Sequence, residues 1–220
     1  MPPSPSPTVF ILDDDAAVRK AISRLLRSAG MAVAAVPCSK EFLVQYDPDT
    51  PGCLVLDIAM PVLDGLELQT ILGEKGSTLP IIFLTGHGDV SKSVQAMKHG
   101  AFDFLSKPVK GKDLLTAVRA AIETDAFVRR ERAKISEVLA HLDTLTPRER
   151  EVLEHVIAGK LNKQVASDLG ITEATVKMHR ARVMAKMKVQ SVAELARLTE
   201  RCGTRGTNSL NASSLKTASY

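Results

Sequence analysis

The chain predicts an α/β domain followed by a small all-α domain, and three observations carry that expectation. Residues 8 to 121 alternate short apolar runs with segments of helical period. Runs such as Val9-Phe-Ile-Leu12 and Ile81-Ile-Phe-Leu84 do not alternate apolar with polar, as expected of parallel strands covered on both faces. From Thr144 to Cys202 the pattern is helical and the charge turns basic. With 220 residues, 45% of them apolar and 25% charged, the chain is long enough for two small globular domains.

In chain order, the expected strands are Thr8 to Leu12, Met31 to Val36, Cys53 to Leu56, Pro80 to Leu84 and Phe102 to Leu105. Helices between them give a doubly wound α/β domain. The first helix sets Val18, Ile22, Leu25, Leu26 and Ala29 on one face and stops at Gly30. Asp15 and Asp89 are expected as helix N-caps. Residues 110 to 142 form a long helical stretch broken by the charged run Arg129 to Arg132, and its later part is a linker. Val128, Ile135 and Leu142 fall at heptad spacing, too few heptads for a coiled coil, so an amphipathic connector is expected. Thr146 then caps a helix with Pro147 at its first position and Glu149 completing a capping box. Asn162 to Leu169 and Glu173 to Met187 are the next two helices, joined by a tight Gly170-Ile171-Thr172 turn, and Ser191 with Glu194 caps a fourth. Such a four-helix unit suits a helix-turn-helix. The Pro/Ser-rich residues 1 to 7 and the Ser/Thr/Asn-rich residues 203 to 220 lack periodicity and are expected to be disordered.

The net charge of +4 is unevenly spread. Residues 1 to 143 carry 16 Lys/Arg against 18 Asp/Glu, whereas residues 144 to 202 carry 11 against 7. An anionic partner is therefore expected for the C-terminal part alone, with nucleic acid foremost. No apolar run approaches the roughly 18 residues of a membrane span, and the Pro/Ser-rich start has no signal core, so no membrane partner and a cytoplasmic location are expected. Cys38, Cys53 and Cys202 lack disulfide or metal-ligand spacing and are expected as reduced thiols.

Chemistry is expected where strands end. In an open parallel sheet, reactive groups gather at the carboxyl ends of the strands, and Asp13, Asp57, Thr85 and Lys107 each follow an apolar run. With Asp14 they bring together carboxylates, a hydroxyl and an ammonium. Close carboxylates repel and so either take up protons or bind a cation, and oxygen-only ligands favour Mg²⁺. A carboxylate can also act as nucleophile toward a phosphoryl donor. Asp57, at the end of the expected central strand and followed by a loop from Pro61 to Gly65, is the expected nucleophile. Asp13 and Asp14 would hold the ion, and Thr85 and Lys107 would meet phosphoryl oxygens.

These motifs resemble a known family. Val9-Phe-Ile-Leu-Asp-Asp-Asp15, the Leu56 to Gly65 run, Leu84-Thr-Gly-His87 and Phe104-Leu-Ser-Lys-Pro108 are similar to receiver domains of two-component response regulators. Leu145 to Leu153, Asn162-Lys-Gln-Val-Ala166 and Thr175-Val-Lys-Met-His179 are similar to the LuxR-type helix-turn-helix, so the whole resembles the NarL/FixJ type. The resemblance implies a flavodoxin-like five-stranded receiver domain over residues 8 to 121, a linker helix over 122 to 143, a DNA-binding domain over 144 to 202 and a tail over 203 to 220. It implies that Asp57 takes a phosphoryl group from a sensor histidine kinase, with Mg²⁺ on Asp14, Asp57 and the Ala59 carbonyl and with Asp13 acting through the water shell. Thr85 and Lys107 would grip the phosphoryl group, Pro108 would be cis, and Phe104 would be the switch aromatic.

In the second domain the resemblance sets Lys177 and Met178 toward bases and Arg180 and Arg182 close to DNA. Asn162, Lys163 and Thr175 would lie near phosphates. A homodimer on double-stranded promoter DNA is the implied active form, with RNA polymerase as the further partner and activation of transcription as the expected output. The chain would not be an enzyme except in its own phosphorylation and dephosphorylation. Two positions depart from the family pattern: Ala59, where many relatives carry a larger polar side chain, and Ala181, where relatives place Lys. Two rivals stand beside this reading. Asp13-Asp14-Asp15 is similar to the opening of haloacid-dehalogenase-type phosphatases, with Asp13 as nucleophile, and a phosphorylation-independent DNA-binding protein would keep the fold without the switch.

Overall fold

A computed structural model of the chain describes residues 6–61, 63–86 and 97–206, with side chains through residue 200. It forms two compact units that divide between Arg130 and Glu131, inside the stretch expected as linker.

The first unit is a five-stranded sheet of β1 (Thr8–Leu12), β2 (Ala32–Val36), β3 (Gly52–Asp57), β4 (Ile81–Thr85) and β5 (Asp103–Ser106). All pairs are parallel and the order is β2-β1-β3-β4-β5, so β3 is central. The strands fall within a residue of the expected limits. Helices α1 (Ala16–Ser28), α2 (Ser39–Gln45), α3 (Gly65–Glu74) and α4 (Gly111–Asp143) flank it. The stretch after β4, including His87 and the expected N-cap Asp89, lies outside the described residues. Non-alternating apolar strands bury both faces: Phe10, Leu12, Leu54, Leu56 and Phe83 pack toward α2 and α3 residues such as Phe42 and Leu68. Val9, Ile11, Val55, Ile82 and Leu84 pack with Ile22 and Leu26 of α1 and Leu114 and Val118 of α4.

Local chemistry sets the helix starts. Asp15 caps α1 by accepting from the N–H groups of Ala17 (2.7 Å) and Val18 (3.4 Å), as expected. Asp64 and Glu67 form a reciprocal capping box on α3. Cys38 and Cys53 are free thiols, and burial, with the charge of Asp125 after it, pushes the Cys53 thiol up to about 12. The Cys202 side chain lies outside the described residues.

At the amino ends of the strands, α4 is clamped to the chain entering β3. Asp125, 1% exposed, accepts from the Gly52 N–H (2.9 Å) and from Arg129 Nε (2.8 Å). The same guanidinium donates to the carbonyls of Pro48 (3.0 Å), Asp49 (3.0 Å) and Thr50 (2.8 Å). Gly52 sits at φ +150°, and a Cβ there would fall 1.8 Å from the Thr8 carbonyl oxygen, so only glycine admits this approach. The charged run at Arg129 is thus part of the first unit's interior bonding.

In the second unit, α5 (Pro147–Ile157), α6 (Asn162–Leu169), α7 (Glu173–Lys186) and α8 (Val192–Gly206) surround Val152, Val156, Val165, Val176, Val183 and Leu195. Val138 and Leu142 of α4 pack on this core. The expected capping box is present, with Glu149 N–H to Thr146 Oγ1 at 3.3 Å and Thr146 N–H to Glu149 Oε2 at 2.9 Å. Ser191 Oγ accepts from the Glu194 N–H at 3.1 Å. One boundary is corrected: α8 runs on to Gly206, past the expected start of a disordered tail at 203. The apolar spacing of its last turn is weak, which is why the sequence suggested an earlier end.

Candidate functional site

The register of the sheet brings the expected residues to one edge. Leu12 is level with Leu56, Asp57 with Leu84, and Thr85 with Ser106, so Asp13, Asp57, Thr85 and Lys107 stand within two residue steps of each other. Asp13 is fully buried, Asp57 and Thr85 nearly so, and Asp14 is exposed.

Lys107 joins the two buried acids. Its Nζ lies 2.8 Å from Asp13 Oδ2 and 2.9 Å from Asp57 Oδ2, and its backbone N–H donates to the Thr85 carbonyl at 2.7 Å. The Lys107–Pro108 peptide is cis. Burial works to lower the ammonium's pKa, but hydrogen bonds from Lys107 to Asp13 and then Asp57, with their charges, outweigh it and hold it above the usual lysine value. The remaining oxygens are also held: Asp13 Oδ1 accepts from the Asp15 N–H at 2.8 Å, and Asp57 Oδ1 from the Ala59 N–H at 3.3 Å.

Gly65 closes the far side of this edge. Its N–H donates to the Ile58 carbonyl (3.1 Å), and a Cβ there would lie 2.8 Å from the Asp57 carbonyl oxygen. Glycine therefore lets α3 start directly beneath the loop that follows the central strand.

One carboxylate oxygen from each of Asp13, Asp14 and Asp57 lies within 4.8 Å of the other two. Three acids against one ammonium leave excess negative charge, and an all-oxygen donor set suits a hard divalent cation. The acidic cluster fits a metal. Phe104, half-buried, stacks on Phe83 with centroids 5.6 Å apart and 18° between planes.

The first unit matches the family described as response regulator receiver domain over residues 9–119, and the second matches bacterial regulatory proteins of the luxR family over residues 143–199. The chain is 45% identical over 195 residues to Nodulation protein W of Bradyrhizobium diazoefficiens, covering 89% of this chain and 86% of that one. It is 44% identical over 190 residues to the transcriptional regulatory protein FixJ of Azorhizobium caulinodans, covering 86% and 90%. Response regulator protein TodT of Pseudomonas putida is 45% identical over 193 residues, covering 88% and 85%.

The chain belongs to the response regulators.

Among solved structures, that of the response regulator StyR overlays with a TM-score of 0.83 at 43% identity, covering 89% of this chain and 99% of that one. Full-length FixJ from B. japonicum overlays at 0.55 and 38% identity, covering 91% and 98%. A receiver domain joined to a LuxR-type DNA-binding domain makes the chain a phosphorylation-activated, DNA-binding transcriptional regulator of a two-component system, with a kinase and DNA as its partners. The family is regulatory and is not that of a classical enzyme, which sets aside the phosphatase reading. Among the described residues no helix is long and apolar enough to cross a membrane.

In the DNA-binding domain, Val176, Val183 and Met187 are buried while Lys163, Lys177, Met178 and Arg182 are exposed. Thr175 Oγ1 lies 2.8 Å from the Thr172 hydroxyl. Arg180 donates to Asn162 Oδ1 at 2.9 Å, so two residues read separately in the sequence form one pair across α6 and α7. The sequence reading missed the Lys186 ammonium, which lies 2.6 Å from Glu149 Oε2 and 2.9 Å from the Thr144 carbonyl.

Proposed function

We propose that Asp57 is the phosphoacceptor, that Asp14, Asp57 and the Ala59 carbonyl hold Mg²⁺ with Asp13 acting through its water shell, and that Thr85 and Lys107 receive the phosphoryl oxygens. The observation that carries this is the Lys107 bridge: one ammonium within 2.9 Å of both buried acids, beside a third carboxylate.

An Asp57 carboxylate oxygen attacks the phosphorus of a phosphohistidine on a sensor histidine kinase. The P–N bond breaks and the imidazole leaves with the electron pair. Attack by water later returns the carboxylate and inorganic phosphate, and the chain assists both steps. The bound cation would offset charge on the transferred group. Lys107, already held by Asp57, needs only a short displacement to pair with the new dianion. Ala59 presents no bulk beside the acid, so hydrolysis is unhindered there. Ala59→Arg should slow the decay of phosphorylated protein, and an unchanged rate would count against that point.

Charge drawn toward Asp57 takes Thr85 inward, and Phe104, stacked on Phe83, turns with it. The resulting surface change favours a homodimer in the cytoplasm that places two DNA-binding domains on promoter half-sites and meets RNA polymerase. Asn162, Lys163 and Thr175 contact phosphates, and Lys177, Met178, Arg180 and Arg182 face the major groove. Residues 8 to 121, 122 to 143 and 144 to 206 serve as receiver, linker and output.

Acetyl phosphate with Mg²⁺ tests the reading. Intact mass should rise by one phosphoryl group mapped to Asp57, and light scattering and operator binding should show a dimer of higher affinity. Equal dimerisation and DNA binding by Asp57→Asn under phosphodonor would refute it.

A further inference from the structure

Two of the three acids have their carboxylates fixed by direct contacts: Asp13 by the Asp15 N–H and Lys107, and Asp57 by the Ala59 N–H and Lys107. Asp14 is the exposed member, and what aims it is the backbone. The peptide plane joining Asp13 to Asp14 is rigid, and its oxygen accepts a 2.6 Å hydrogen bond from Arg19 Nη1. Arg19 lies one turn inside α1, with its own N–H bonded to the Asp15 carbonyl at 3.0 Å, and its half-buried side chain folds back to the helix's N-terminal end.

That placement runs against helix electrostatics. The N-terminal end of a helix favours anions and disfavours cations, and Asp15 caps α1 there, yet a guanidinium reaches back to the same end. Local rules are broken in this way where a site requires it. The requirement here is visible: three acids face one ammonium, and a second fixed cation that also locks a peptide plane serves both their charge and their aim.

We infer that Arg19 is a positioning residue of the acceptor site: by holding the Asp13 carbonyl it orients the Asp13–Asp14 pair for the cation, and so sets metal affinity and the rate of phosphoryl uptake. This rests on the proposed role of Asp57 and adds a residue to it.

The test uses the full-length protein with Mg²⁺ alone in isothermal titration calorimetry, and then acetyl phosphate uptake read by intact mass. Arg19→Ala should weaken Mg²⁺ binding and slow uptake about tenfold, near the lower end of what one charge-assisted hydrogen bond contributes. Arg19→Lys, which keeps a charged donor, should recover at least half of that loss. The thermal midpoint without metal should stay within about 3 °C of wild type, because Arg19 is partly exposed and packs no core. A lowered midpoint with Mg²⁺ affinity and uptake within twofold of wild type would make Arg19 merely structural and overturn the inference. Should Arg19→Ala fold poorly, Arg19→Met keeps the stem and gives the same reading. Failure of the wild-type chain itself to bind Mg²⁺ or take phosphate on Asp57 would instead sink the underlying reading, so the two failures are told apart.

Discussion

The two ends of the central strand carry similar chemistry put to opposite uses. At its amino end, Asp125 and Arg129 form a closed set: one acid, one base, the Gly52 N–H and three carbonyls, every group matched. At its carboxyl end, Asp13 and Asp57 share a single ammonium, with the carboxylate of Asp14 beside them. The first arrangement is neutral and complete, so it holds the fold. The second keeps excess negative charge that a divalent cation and an incoming phosphoryl group can use. Satisfaction of charge, and not residue type, separates a structural ion pair from a reactive site.

Removing one partner of the closed set should have the largest effect. Asp125→Ala strips the buried partner from Arg129 and leaves the Gly52 N–H unmet, so the first unit should lose about 3–5 kcal/mol. Arg129→Ala, which leaves Asp125 bonded to Gly52, should cost roughly 2–3 kcal/mol. Urea denaturation followed by circular dichroism measures both. A loss under about 1 kcal/mol for Asp125→Ala would show that the amino end is no better satisfied than the carboxyl end.

The same substitution class at the carboxyl end should act with the opposite sign. Asp57→Asn removes one of the crowded acids while an amide oxygen can still accept from Lys107, so stability without metal should hold or rise by about 1 kcal/mol. Millimolar Mg²⁺ should raise the wild-type melting temperature by linkage and leave the variant almost unmoved. Destabilisation of Asp57→Asn by more than about 2 kcal/mol would mean that the acid serves the fold first.

The sequence made these two ends unequally legible. Strand ends announce themselves: Asp13, Asp57, Thr85 and Lys107 each close an apolar run, and parallel pairing must bring such positions to one edge. The fold class and the candidate site follow from that single regularity. Asp125 and Arg129 have no such mark, because their partners Gly52 and the carbonyls of Pro48 to Thr50 lie 73 to 81 residues away and are backbone atoms. A carbonyl partner leaves no trace in residue identity. For the same reason Arg129 read as part of a charged run interrupting the helical stretch, and Arg19, bonded to the Asp13 carbonyl, carries no mark in the sequence. The Arg180–Asn162 pair was half legible, since both residues stood out but their mutual contact depends on how α6 crosses α7.

A smaller effect in the second unit extends the comparison to a third acid. Glu149, 2% exposed, is matched by one ammonium and the Thr146 N–H, which puts it with Asp125 on the satisfied side. The hydrogen bond from Lys186, and after it the Thr146 N–H, outweigh burial and lower its carboxyl to about 2 from an ordinary 4.5. A folded-state pKa below the unfolded one means the stabilisation is complete above about pH 4.5 and is lost as pH falls through 2. Because the Lys186 side chain is 35% exposed, solvent screening cuts the contribution to roughly 1–2 kcal/mol. Unfolding of the DNA-binding unit followed between pH 5 and 2 should therefore show a fall that Lys186→Met flattens, at the expense of lower stability at neutral pH. Identical pH profiles for the variant and the wild type would place Glu149 among the acids that the fold merely tolerates.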